Sequence, residues 1–92
     1  MSSTSSRFRA SPDTVSTRAG DEIVLVDLKT DRIYSLNRTA ARVWELFSTD
    51  CDREEVQRRL LEEFDVGPGE VESAIDELVQ SLVSNGLLLP RV

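Results

Sequence analysis

The hydrophobic period of this chain changes once, at Asn37. Before Asn37, apolar residues alternate or gather in short β-branched runs. After it, they recur every three to four residues. A chain ordered this way builds a small sheet first and then lays helices on it. Thr14 to Arg18 is short and β-prone, and Ala19-Gly20-Asp21 reads as a turn. Glu22 to Leu28 contains the run Ile23-Val24-Leu25-Val26, and Leu28-Lys29-Thr30-Asp31 supplies hairpin-turn chemistry. From Arg32 to Leu36 the pattern alternates: Arg32, Tyr34 and Leu36 point one way, Ile33 and Ser35 the other. A three-stranded antiparallel meander is expected, with its second strand in the middle.

The side-chain oxygen of Asn37 is suited to cap a helix, and Ala40, Ala41, Val43, Trp44 and Phe47 follow at helical spacing. Ser48 to Cys51 breaks the pattern. Asp52 with Glu55 makes a capping-box-like start for a second helix, whose apolar face holds Val56, Leu60, Leu61 and Phe64. Asp65 to Gly69 interrupts again, and Pro68 suits a first helical position. The third helix carries Val71, Ala74, Ile75, Leu78, Val79, Leu82 and Val83 in a broad stripe. Asn85-Gly86 reads as its stop, and Leu87 to Leu89 are expected to pack back on the core. The fold class is therefore α+β: a meander followed by three helices, similar to a winged helix-turn-helix with its strands placed first.

Composition restricts function. Ninety-two residues allow one small core and no deep substrate cavity beside it. Histidine is absent, which removes the commonest metal ligand and the usual base near neutral pH. Cys51 is the one cysteine, so neither an internal disulfide nor a thiolate metal site is available. No metal and no cofactor are expected. Glu54-Glu55 and Glu62-Glu63 are sequence neighbours on helices, so their side chains diverge and make no acid–base pair. Gly67-Pro68-Gly69 lacks the Lys and Ser/Thr of a phosphate loop. No apolar run is long enough to span a bilayer, and the absence of a signal peptide makes the cytoplasm the expected compartment.

Charge is unevenly distributed. Residues 1–20 hold three Arg against one Asp, and residues 21–92 hold eight Lys/Arg against sixteen Asp/Glu. An acidic body repels phosphate backbones, so no nucleic-acid partner is expected. Residues 1–12, rich in Ser, are expected to form a disordered N-terminal tail, with an arm at Arg7-Phe8-Arg9 that folds on a partner as the functional alternative. Residues 13–92 form the single domain.

Several segments together resemble the pyrroloquinoline quinone synthesis protein D family. Val26-Asp27-Leu28-Lys29-Thr30-Asp31-Arg32-Ile33-Tyr34-Ser35-Leu36-Asn37 is similar to its hairpin segment, and Thr39 to Leu46 to its Trp-bearing helix. Glu55-Val56 with Leu60 to Val66 resembles its second helix. Asp76, Leu78, Leu82 and Gly86-Leu87-Leu88 resemble its last helix and ending. The chain departs in carrying Asp31 where Gly is usual in the hairpin, and Gly67 where an acidic cap is common. The resemblance implies a peptide chaperone, also called a RiPP recognition element. Such a protein binds the leader of a ribosomally made precursor and presents it to a modifying enzyme such as a leader peptidase, a cyclase or a radical enzyme. It implies further that the leader lies antiparallel to the third strand, beside the last helix.

That strand has one unpaired side, and main-chain pairing there would give affinity. The peptide-binding residues expected are Arg32, Ile33, Tyr34 and Ser35 on the strand, with Glu72, Ile75, Asp76 and Val79 on the last helix. Each also has a structural reading: Tyr34, Ile33, Ile75 and Val79 as core, and Asp76 as a surface charge or a partner of Arg42 or Arg38. Trp44 is expected to anchor the core. Two other functions fit the composition. One is a protein-binding scaffold or antitoxin-like module. The other is a winged-helix DNA-binding protein, disfavoured because no Lys or Arg lies between Glu70 and Pro90.

Overall fold

The computed structural model describes residues 7–49 and 51–90. Its elements run β1 (Phe8–Ala10), β2 (Thr14–Ala19), β3 (Glu22–Asp27), β4 (Arg32–Leu36), α1 (Arg38–Ser48), α2 (Arg53–Glu63), α3 (Pro68–Ser84) and β5 (Leu88–Pro90). The expected meander is β2-β3-β4, antiparallel throughout and with β3 in the centre.

Local chemistry sets the turns and caps. β2 and β3 close over Gly20, whose φ of 68° is left-handed and costs little without a Cβ. The β3–β4 hairpin needs the same region at Asp31, where φ is 60°. Asp tolerates that region better than most side chains, which explains how the hairpin closes without a Gly there. Asn37 caps α1 by accepting the Ala40 N–H at 2.9 Å, and Asp52 caps α2 by accepting the Glu55 N–H at 2.8 Å. Pro68 occupies the first position of α3, and Gly86, at φ 74°, ends it.

The helices cover one face of the meander. Ile23, Leu25 and Leu36 from the sheet meet Val43, Trp44 and Phe47 of α1, Val56 and Leu60 of α2, and Val71, Ile75 and Leu82 of α3 in one buried cluster. Trp44 is a core residue, as expected.

Two features depart from the sequence reading. Residues 1–6 of the expected tail lie outside the described residues, but the rest of it is structured. β1 pairs antiparallel with β5, placing Phe8 opposite Pro90 and Ala10 opposite Leu88. Phe8 is buried and meets the Phe47 ring edge-on, with centroids 5.2 Å apart. One aromatic side chain in an apolar pocket outweighs the local tendency of a Ser-rich segment to stay unpaired. Leu87 and Leu88 pack in the core as expected, Leu89 is half-buried outside it, and Leu88–Pro90 form a strand.

Candidate peptide-binding site

β4 hydrogen-bonds to β3 on one side, and among the described residues no strand pairs with its other side. The N-terminal strand, which lies close enough in sequence to compete, is committed to β5. Alternate residues of β4 therefore direct N–H and C=O groups outward. Arg32, Ile33 and Ser35 are exposed, and Tyr34 is half-buried beneath the edge.

Tyr34 shows which flank of α3 faces this edge. Its hydroxyl donates to Oδ1 of Asn85, the C-cap of α3, at 3.3 Å, and Asn85 Nδ2 donates to the Ser81 carbonyl at 2.8 Å. An α-helix turns about 100° per residue, so Ala74, Leu78 and Ser81 share the bearing of Asn85 within about 40°. Asp76 precedes Asn85 by about two and a half turns and points the opposite way. It pairs there with Arg53 of α2, whose Nη2 also reaches the Glu72 carbonyl at 3.4 Å.

The last-helix residues expected from sequence are thus placed elsewhere. Ile75 is 0% exposed and belongs to the core rather than to any groove. Val79 is half-buried and packs against the core, and Glu72 and Asp76 lie on the α2 side. Asp76 pairs with Arg53, not with the Arg42 or Arg38 considered from sequence. Arg42 instead clamps Glu63 with two hydrogen bonds of 2.7 and 2.8 Å, joining α1 to α2. Donation from Arg42 holds the Glu63 carboxyl below its usual range, and the same contact raises Arg42.

At the Asn37 end of β4 lies a trough between the start of α1 and the Ala74 flank of α3. A cavity of about 340 Å³ opens beside Asn37, the residue after β4, with Ala40 and Val43 on one wall and Ala74, Leu78 and Ser81 on the other. Thr39 and Ala74 also line a second cavity of about 260 Å³, which continues toward Phe64 and Val66. Small side chains at positions 40 and 74 leave this space open. Glu77 borders the first cavity and Glu70 the second, and neither has an ion-pair partner among the described residues. The sequence does hold a signal for this wall: Ala74, Leu78, Ser81 and Asn85 follow helical spacing. Choosing that flank over the opposite one requires knowing how α3 sits against β4.

An unpaired edge beside an apolar trough defines a class, the small domains that take up extended peptides by strand addition. The model of the family described as Coenzyme PQQ synthesis protein D (PqqD) matches residues 22–88, and the chain belongs to that family. Two solved structures are similar to it over most of their length. One, described as TbiB1 in complex with the TbiA(beta) leader peptide, superposes with a TM-score of 0.81 at 28% identity, covering 87% of this chain and 93% of that one. The other, lasso peptide synthetase B1 complexed with the leader peptide, gives 0.82 at 30% identity, covering 91% and 99%. No curated protein matches the chain.

Proposed function

We propose that the chain binds the leader of a ribosomally synthesised precursor as an added antiparallel strand on β4 and delivers it to a modifying enzyme. The carrying observation is the unpaired β4 edge, with the α1–α3 trough at its Asn37 end, in a chain whose similar structures hold leader peptides. Its role is non-enzymic, and it acts in the cytoplasm, where a ribosomal product first appears. No described helix is long and apolar enough to cross a membrane.

An antiparallel peptide enters at the Leu36–Asn37 end and leaves past Arg32. Backbone pairing supplies affinity with little regard to sequence, and the trough supplies selectivity. Burying one aromatic leader side chain there contributes roughly 1.5–3 kcal/mol before ordering costs. Glu77 at the rim favours a leader cation nearby.

The test is N-methylation of successive amides in the leader encoded with the chain, with binding read by fluorescence anisotropy. Strand pairing predicts a two-residue rhythm, in which every second methyl group weakens binding about fivefold to tenfold, the worth of one hydrogen bond. Uniform tolerance along the paired stretch would overturn the proposal.

A further inference from the structure

The face of the β2-β3-β4 sheet turned away from the helices is poor in charge. Glu22 is the one charged strand position on it, in a chain with 30% charged residues. Val15 lies opposite Val26, and Val26 opposite Ile33, so three β-branched side chains form a row across the sheet. Val15 is 46% exposed and Ile33 68%, and Leu28, in the hairpin at the same end, is 57% exposed. The row starts at β2 and finishes on β4, the edge strand of the proposed peptide site. It also lies at the Arg32 end, past which an antiparallel leader sends the part of the precursor that is to be modified.

We infer that this apolar row docks the modifying enzyme, and that a bound leader widens the docking face. The second clause rests on the strand-addition reading. A peptide strand paired to β4 sets one of its own side chains beside Ile33 on the outer face, extending the row from three strands to four. The enzyme then meets protein and leader together, at the point where its substrate emerges. By linkage, leader and enzyme strengthen each other's binding.

Two probes separate the claims: a fluorescent leader peptide, and the purified modifying enzyme encoded with the precursor. Val15→Glu and Leu28→Glu alter exposed positions off β4. Both are expected to keep the melting transition and to bind leader within twofold of wild type. Both are expected to bind the enzyme at least tenfold more weakly. Saturating leader is expected to tighten enzyme binding to the wild type at least fivefold. Unchanged enzyme affinity in both variants would overturn the inference. So would sedimentation showing that the wild type dimerises through this face and that Val15→Glu releases monomers, since a second copy would then be the occupant. Failure of the wild type to bind leader is read in the separate anisotropy signal. It would strike the strand-addition reading and the widening with it, while enzyme affinity for the leader-free protein would still judge the row.

Discussion

The Tyr34 hydroxyl and the Asn85 side-chain oxygen lie 3.3 Å apart although 51 residues separate them in the chain. The bond joins the strand that carries the open edge to the cap of the last helix, and so marks the flank that α3 turns toward the groove. Tyr34→Phe and Asn85→Ala each remove it. Because the contact is exposed, each is expected to cost about 0.5–1 kcal/mol in urea denaturation. The double variant is expected to cost less than the sum of the two, since both delete one interaction. Full additivity would show that the bond contributes nothing to placing α3.

The groove-facing flank of α3 is tested by substitutions on its two sides. Ala74 is exposed and lines both cavities, so Ala74→Trp fills the trough with little effect on the core. Leader affinity is expected to fall at least tenfold. Glu72→Lys with Asp76→Lys reverses charge on the opposite flank, beside Arg53. Leader affinity is expected to stay within about twofold, and stability to fall by no more than about 1 kcal/mol, the scale of an exposed ion pair. The reverse pattern would place the peptide against the α2 side of α3.

The Arg42–Glu63 clamp predicts a pH dependence of stability. Its carboxyl titrates below the usual range because Arg42 donates to it. The clamp therefore contributes fully above the unfolded glutamate value of about 4.3, and its contribution is lost as pH falls through the lower folded value. Both side chains are about one-third exposed, and screening limits the contribution to about 0.5–1 kcal/mol. Glu63→Gln is expected to lower stability by that amount at pH 7 and by less at pH 3. Chemical denaturation at the two pH values reads both. A constant difference would mean that charge is not what the pair supplies.

Legibility in the sequence followed the range of the interactions. The meander, the Asn37 and Asp52 caps, the Pro68 start and the Gly86 stop are local, and each was readable from residues a few positions apart. β1 was not, because its order comes from a distant strand and from Phe47, neither of which marks the Ser-rich N-terminal sequence. The site divides the same way. Arg32 to Ser35 share one edge because strand neighbours must. Glu72, Ile75, Asp76 and Val79 share α3 but lie on its buried and α2-facing sides. The rotation of a helix about its own axis is fixed by tertiary packing, here burial of Val71, Ile75 and Leu82, which leaves Asp76 beside Arg53 and Asn85 beside Tyr34.

Among the described residues the sheet has a second open edge, along β2, and the two edges differ in chemistry. Arg18 of β2 sits on the helix-facing side and pairs with Glu45 of α1, an inward-pointing charge of the kind that discourages strand addition. β4 instead ends at Asn37, on the wall of the α1–α3 trough. Amide hydrogen exchange, measured residue by residue with and without saturating leader, compares the two edges in one experiment. The account predicts that leader slows exchange at alternate residues between Arg32 and Leu36 and leaves Thr14 to Ala19 unchanged. Protection along β2, or leader binding with no added protection on β4, would contradict it.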